Sequence, residues 1–389
     1  MNLAICHLSV LPAKGGCERH IVDLLGRFCH DGHEVHLYAH EWDAAVLPTN
    51  LHCHRIAMPS GSRSGRPWRF SKALAGVLPA GRHDISLGFD KVAGVDVQYP
   101  AGGLYRATVK HGLGRHRSPW MRRLASLSRY LDPAYWSFCR FEREQYLGSR
   151  RPFIIANSDF VRQHFRRYLG IDRSRVSILH CAIDPDRFAA TDRPARRVAT
   201  RADWGVEATD TVALFVAMNY RLKGLEPLLH AVARMPQRER FRLAVVGDPK
   251  TRPYRRLAKR LGIAANVRFL GFSSDPRNAY FAADLLVHPT FYDPWSLVVQ
   301  EAMACGLPVI TTRFNGAAEL LDPPTDGLVI RDPHDRDELA GALSYFLDPV
   351  RRQNCARAAL RGGQKWTFDE HYRQLVRLLG EAAQRKRAA

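Results

Sequence analysis

Short apolar runs of four to eight residues alternate along this chain with longer amphipathic stretches, and no other feature constrains the fold as strongly. A run that short and that apolar reads as a strand buried on both faces, and its amphipathic neighbour as a covering helix. Repetition of the pair builds βαβ units around a parallel sheet. In the first half, strands are expected near 2–9, 34–39, 52–57, 84–88 and 152–156, with a helix over about 17–31. In the second half they are expected near 212–217, 242–247, 267–270, 285–289, 308–312 and 327–330. Helices separate them at 224–235, 253–262, 276–283, 296–305 and 335–347.

A length of 389 residues favours two such domains. The expected divisions are a first domain over 1–183, a polar linker rich in Arg and Asp over 184–210, and a second domain over 211–367. A helical tail over 368–389 is expected to return to the first domain. The hydrophobic share of 46% excludes a disordered or fibrous chain. The eight cysteines are scattered without a CxxC, which favours reduced thiols over a disulfide framework or a zinc site. The opening MNLAICHLSVLP lacks a basic leader and reads as a first strand, and no apolar run approaches the roughly 20 residues that span a bilayer. The expected location is the cytoplasm, or the inner face of the cytoplasmic membrane as a peripheral protein.

Open α/β sheets bind ligands at the carboxyl ends of their strands, so the loops that follow strands carry the chemistry. After the first strand come Gly15 and Gly16 at the start of a helix, which suits either a tight turn or close approach of a phosphate or sugar. The complete GxGxxG and GxxxxGK[ST] fingerprints are absent. After the strand at 212–217 come Arg221, Lys223 and Gly224, which suit a solvated basic turn or a diphosphate clamp. The richest segment runs from Tyr292 to Ile310. Asp293 precedes a helix expected to begin near Ser296, and Glu301 lies within it. The opening amides of that helix, around Ser296 and Leu297, suit a phosphate.

The segment around Asp293 and Glu301 resembles the acid-x7-Glu motif of glycosyltransferase family 4, and Glu301-Ala-Met-Ala-Cys-Gly-Leu-Pro-Val-Ile310 is similar to that family's most recognisable stretch. Further ordered matches are Gly15-Gly16-x-Glu18, Asp31-Gly32-His33-Glu34-Val35, Lys223-Gly224, Val246-Gly247, Ala283-Asp284 with His288-Pro289, and Asn315-Gly316-Ala317-Ala318-Glu319. Gly88-Phe89-Asp90-Lys91, Gly94-Val95-Asp96-Val97 and Phe138-Cys139-Arg140-Phe141-Glu142-Arg143 resemble the branch of the family that glucosylates the inner-core heptose of lipopolysaccharide from UDP-glucose.

The resemblance implies a GT-B fold of two Rossmann-like, doubly wound domains facing across a cleft. It implies a retaining, metal-independent hexosyltransferase with a nucleotide-sugar donor, most simply UDP-glucose, as substrate and no cofactor. Gly15 and Gly16 would admit the donor, and Lys223 with Arg221 would neutralise the departing diphosphate. Asp293 would hold sugar hydroxyls, the amides near Ser296 and Leu297 would bind phosphate, and Glu301 would take the ribose. Arg175 would add a phosphate contact. Lys223 and Asp293 are the expected catalytic residues.

Three departures stand out: Asp293 occupies a position that is usually Glu, Ala182-Ile183-Asp184 replaces Gly-Ile-Asp, and Leu222 separates the basic pair. Asp184-Pro185-Asp186 matches the DxD of metal-dependent transferases but reads as a turn after the linker strand. His7, His20, His111, His116 and His180 lie near candidate loops and read as structural or surface residues, with no metal spacing among them.

The net charge is +20, and a balance so basic calls for an anionic partner. Residues 97–171 hold 14 Lys and Arg against four acids, half of that excess. Arg106, Lys110, Arg115, Arg117, Arg122, Arg123 and Arg129 lie in an acid-free stretch where Trp120 and other apolar residues interleave with the cations. Such mixing suits an interfacial segment on anionic lipid or a dock for a phosphorylated saccharide acceptor, with a solvated arginine-rich loop as the plain alternative. Two other functions compete. A nucleotide-sugar epimerase on the same fold would consume the donor without an acceptor. A nucleic-acid-binding protein would exploit the charge, but no zinc finger, RRM signature or basic zipper appears, so no nucleic acid is expected as partner.

Overall fold

Seven parallel strands form the first sheet of the computed structural model: Asn2–Cys6 (β1), Glu34–Ala39 (β2), His52–Arg55 (β3), Ile85–Phe89 (β4), Val97–Tyr99 (β5), Phe153–Ala156 (β6) and Val176–Ile178 (β7). Six form the second: Thr211–Ala217 (β8), Phe241–Gly247 (β9), Val267–Gly271 (β10), Leu285–His288 (β11), Val309–Thr312 (β12) and Gly327–Ile330 (β13). The structure describes every residue except 13, 14, 80, 190, 274 and 389.

The spatial orders are β3-β2-β1-β4-β5-β6-β7 and β10-β9-β8-β11-β12-β13. In each sheet the order reverses beside its first strand, and there the carboxyl ends of β1 and β4, or of β8 and β11, diverge to leave a crevice for a ligand. Both sheets are Rossmann-like, as the alternating pattern implies. Their central strands read as unbroken apolar runs because helices cover both faces, and in β8 (TVALFVA) only Val216 is not fully buried.

Two compact units contain these sheets. The first comprises Met1–Leu113, Ser118–His180 and Glu370–Ala389, and the second comprises Gly114–Arg117 and Cys181–Asp369. Helix Phe368–Ala388 packs almost wholly within the first unit, where Lys386 Nζ donates to Asp96 Oδ2 at 3.0 Å and to the carbonyl of His83 at 3.1 Å. No disulfide joins the cysteines among the described residues.

Several elements depart from the sequence expectation. The first strand stops at Cys6, and Ser9–Val10 pairs instead with Glu41–Trp42 in a separate ribbon. The three residues of β5 are too few to show a period. Helices Arg66–Val77, Tyr105–Leu113, Pro119–Tyr130, Pro133–Leu147 and Asp159–Leu169 lie where the sequence pattern predicts no element, because basic residues interrupt their apolar stripes. Some carry ordinary start and stop signals. Asp132 and Ser158 cap amides of Ala134 and Val161, and Gly170 ends its helix in the left-handed region.

Residues 184–210, expected as a linker, are folded into the second unit. Helix Arg193–Asp203 lies against helix Arg277–Ala282 through its arginines. Arg197 donates to the carbonyls of Phe281 and Ala283 and to Asp284 Oδ1 at 2.6 Å, and the buried Arg201 reaches the Ala282 carbonyl and Asp284 Oδ2. Helix-terminal carbonyls and a carboxylate satisfy the guanidinium groups, so the polar composition marks a packed helix and not a free connector.

Candidate active site

In the second unit, two loops at the carboxyl edge of the sheet are laced together. The loop after β8 closes a tight turn in which Asn219 Oδ1 accepts the Leu222 amide and the Asn219 carbonyl accepts the Lys223 amide. Gly224 then opens helix Leu225–Arg234 at φ 83°. A Cβ there would lie 2.0 Å from the Pro289 carbonyl oxygen, just after β11, so glycine alone permits this approach. The carbonyl of Leu222 accepts the amide of Phe291 at 2.9 Å and the hydroxyl of Thr290 at 3.3 Å.

This lacing delivers Lys223 to Asp293. Lys223 Nζ lies 2.6 Å from Asp293 Oδ2 and 3.4 Å from the carbonyl of Tyr292. Asp293 is 7% exposed, and its backbone is tied to the segment after β12 by its amide to Phe314 and its carbonyl from Gly316. His288 Nε2, at the end of β11, stands 3.2 Å from the same Oδ2. Burial alone would raise the Asp293 carboxyl, yet the Lys223 charge and the His288 hydrogen bond reverse this and hold it well below the usual carboxylate range. Burial lowers His288, which favours its neutral form despite the aspartate. Asp293 is thus a fixed anion with one oxygen heavily engaged.

Helix Leu297–Ala304 begins four residues further on, and the side chain of its cap, Ser296, makes no capping hydrogen bond. The opening amides are therefore not taken by that hydroxyl and carry the positive end of the helix dipole. Glu301 lies on this helix, and its Oε2 accepts the Tyr280 hydroxyl at 2.5 Å. Gln300 accepts from Trp295 Nε1 and donates to the Cys181 carbonyl, which braces the preceding loop. Arg221 is exposed on the same turn as Lys223, with its charge acting on Tyr254. The structure thus assembles Lys223, Asp293, Ser296, Leu297 and Glu301 around one strand–helix edge. His288 enters from the sequence only as a family match, with no role, and Tyr280 is not singled out there; the structure sets the first against Asp293 and the second against Glu301.

Gly15 and Gly16 lie in the first unit, where Gly15 caps helix Gly16–His30 in extended backbone and Gly16 is exposed. Residues 13 and 14 of that turn lie outside the described residues. Cys17 Sγ is 3.7 Å from Asp90 Oδ2, and Asp90, at the end of β4, adopts φ 52° with Oδ1 accepting the Gly102 amide. A non-glycine residue in that region beside the crevice is a signal the sequence does not display. Arg175 is displaced from this group. It immediately precedes β7 in a wholly parallel sheet, so it lies on the amino edge, opposite Gly15 and Gly16.

The basic cluster divides. Arg106 is turned inward, donating to the carbonyls of Tyr168 and Cys139 beside the buried Glu142, so it clamps helices and does not present charge. Arg150 pairs with Asp96 at 2.8 Å, and Arg162 shares Asp159 with Arg173. Arg115 and Arg117 fall in the short segment that groups with the second unit. Lys110, Arg122, Arg123 and Arg129 are exposed. Helix Pro119–Tyr130 has no buried residue, and Trp120, Leu124 and Leu127 are 66%, 54% and 57% exposed. Among the described residues no helix is long and apolar enough to cross a membrane.

Two family models match the chain: glycosyltransferase family 4 over residues 14–187 and glycosyl transferases group 1 over residues 197–361. The chain is 27% identical to lipopolysaccharide glucosyltransferase WaaG of Escherichia coli K12, over 90% of this chain and 91% of that protein. The crystal structure of WaaG superposes with a TM-score of 0.79 at 24% identity, covering 97% of this chain and 99% of the other. Anabaena HepE in complex with UDP-glucose superposes with a TM-score of 0.72 at 18% identity, covering 97% and 99%.

Proposed function

The chain belongs to glycosyltransferase family 4, and from that premise we propose that it moves a hexose, with glucose as first candidate, from a UDP-sugar to an anionic lipid-linked saccharide of lipopolysaccharide-core type, with retention of configuration. One observation carries the reading: the pair of half-buried Lys223 and buried Asp293 sits beside the start of the helix that bears Glu301. WaaG is named as a lipopolysaccharide glucosyltransferase, and HepE was crystallised with UDP-glucose, which supports both halves of the proposed reaction.

The division of labour follows from charge. Breaking the bond to the anomeric carbon leaves a sugar with oxocarbenium character and a diphosphate gaining negative charge. Lys223 and the opening amides of helix Leu297–Ala304 stabilise that growing charge more in the transition state than in the ground state. Asp293, kept ionised, accepts donor-sugar hydroxyls through its oxygen not held by Lys223 and His288. Its engagement makes it a poor nucleophile, so the acceptor hydroxyl attacks on the face the diphosphate leaves. Because Asp293 already balances Lys223, the second phosphate charge falls to the helix amides and Arg221. Cations and amides take the part a metal plays in other transferases.

Glu301 takes the ribose hydroxyls in this reading. Loss of hydrogen bonds to a charged group costs about 1.5–3 kcal/mol, so Glu301→Ala is expected to weaken UDP-glucose binding about ten- to a hundredfold by titration calorimetry. Glu301→Gln, which still accepts from Tyr280, separates this loss from disturbance of the Tyr280 contact. An unchanged donor affinity in both variants, with native circular dichroism, removes Glu301 from the site. Turnover with a lipopolysaccharide-core acceptor and NMR of the new anomeric bond test transfer and retention. Donor consumption without acceptor, yielding an epimerised sugar, would favour the epimerase reading.

The same proposal has the protein lie peripherally on an anionic membrane through helix Pro119–Tyr130, whose exposed Trp120, Leu124 and Leu127 are interleaved with Arg122, Arg123 and Arg129. A solvent-facing apolar stripe flanked by cations is the pattern of an interfacial helix. At about 1 kcal/mol per cation, changing all three arginines to Gln is expected to weaken binding to phosphatidylglycerol-containing vesicles about a hundredfold in co-sedimentation. Donor hydrolysis should be spared. If vesicle binding is unchanged while the acceptor KM rises, the helix docks the acceptor instead.

A further inference from the structure

On the amino edge of the first sheet, away from the carboxyl strand ends that carry the glycine turn, the fold gathers four imidazoles and a carboxylate. The cause is register. Glu34 and His36 are two residues apart on β2 and so share a face, and the parallel pairing sets His36 opposite His52 on the neighbouring edge strand β3. His36 and His52 stack with ring centroids 4.7 Å apart, and His54 and His83 bring their rings to 5.2 and 4.7 Å from His36. One candidate ligand atom from each of Glu34, His36 and His52 lies within 4.8 Å of the other two, and among the described residues these form the only such group.

We propose that Glu34, His36 and His52 bind a divalent transition-metal ion of the zinc class, clipping the edge strand β3 to β2. Three features favour a metal over an incidental cluster. His36 is oriented through its far nitrogen: Nδ1 lies 2.9 Å from His54 Nε2, which turns Nε2 toward Glu34 Oε1 at 3.1 Å. In the tautomer with Nδ1–H donating to His54, Nε2 is the nitrogen left to ligate, and a cation takes the place of the proton that Nε2 otherwise donates to Glu34. The surrounding shell is fixed as well, because His83 lies between the Tyr38 hydroxyl at 2.9 Å and Asn2 Oδ1 at 2.5 Å. Lastly, the donor set matches the ion. Two imidazoles and one carboxylate suit zinc, nickel or copper and not the oxygen cages of calcium or magnesium, and three protein ligands leave a position for water.

Donors about 2.0–2.2 Å from a tetrahedral zinc stand about 3.3 Å apart, so closure draws the three donors together and turns the exposed His52 ring out of its stack on His36. His52 and Glu34 are exposed, which gives the ion a way in, whereas His36 is buried and anchors the site. The site lies at the opposite edge of its sheet from Gly15 and Gly16 and takes no part in sugar transfer. Its effect is on the fold: an ion held by both β2 and β3 covers a weakness at an edge strand whose partner lies on one side only.

The test uses tag-free protein stripped with EDTA and titrated with zinc against a chromophoric chelator, with cobalt(II) as a spectroscopic stand-in. The expected result is one equivalent bound, cobalt ligand-field absorption of a four-coordinate site, and a higher Tm with zinc. Glu34→Gln and His52→Ala, both at exposed positions, should each weaken zinc binding at least about tenfold. His30→Ala, at an exposed histidine outside the cluster, should leave it unchanged. Absence of stoichiometric binding, or binding that both cluster variants leave intact, overturns the proposal.

Discussion

Replacing Lys223 by alanine is expected to reduce sugar transfer about a hundred- to a thousandfold, the usual cost of removing one preorganised group from developing negative charge. The same change strands Asp293, a buried carboxylate whose cation stood 2.6 Å away. Breaking a buried pair by removing one partner costs about 3–5 kcal/mol, because the remaining charge is desolvated without compensation. Lys223→Ala should therefore lose both activity and stability, by initial-rate assay and by denaturant unfolding. The double variant Lys223→Ala with Asp293→Asn removes both charges and should recover most of the stability but none of the turnover. If the single variant melts like the parent, the pair is not the buried unit described here.

The pH dependence of that variant follows from the sign of the Asp293 shift. Burial pulls its carboxyl up, but Lys223 and His288 bring it below the unfolded value of 3.8. The ionised pair therefore adds stability that is present above that value and is lost as pH falls through the still lower folded pKa. Between pH 7 and 5 it makes the parent's Tm no more and no less pH-sensitive. In Lys223→Ala the burial effect prevails and the folded carboxyl rises above the unfolded one, so the sign reverses. The variant's Tm should climb as pH falls from 7 to 5, and the slope should vanish in the Asn double variant. A flat profile in the single variant would mean that His288 suffices to hold the charge.

How much of this was legible before the structure depends on how local each cause is. The second half is written in short apolar runs such as Val212–Ala217 and Leu285–His288, and there strand order and helices follow the pattern closely. Lys223, Asp293 and Glu301 were legible because they sit in loops after strands, where open sheets expose chemistry. The role of His288, matched in the sequence without one, was not, since a histidine within an apolar strand looks like core until the loop after β11 folds Asp293 back onto it. The arginines misled in both directions. In 184–210 they concealed a packed helix rooted on Asp284, and in 97–171 Arg106 proved to be an internal clamp while the exposed Arg150 is paired with Asp96, so only part of that local charge is left unbalanced. The histidine cluster was invisible for a similar reason. Its members come from separate strands and a loop, and only parallel register sets His36 beside His52.

Gly224→Ala is expected to damage the donor site without touching a single functional side chain. The added Cβ would meet the Pro289 carbonyl oxygen at 2.0 Å, and backbone, unlike the end of a flexible side chain, cannot step aside. The residue also sits at φ 83°, where any Cβ is strained by about 1–2 kcal/mol. Overpacking adds about 1–3 kcal/mol, so a destabilisation of about 2–5 kcal/mol is expected in denaturant unfolding. Relief requires the loop after β11 to move from the loop after β8. That motion breaks the Leu222–Phe291 hydrogen bond and draws Asp293 away from Lys223, since each loop carries one partner. Donor affinity should therefore fall along with stability, whereas Gly262→Ala is a control for strain alone. Gly262 has φ 68° with open space around its Cβ and lies away from these loops, so it should show a smaller stability loss and unaltered donor binding. Should Gly224→Ala bind UDP-glucose as the parent does, the close approach of the two loops is not what holds Lys223 against Asp293.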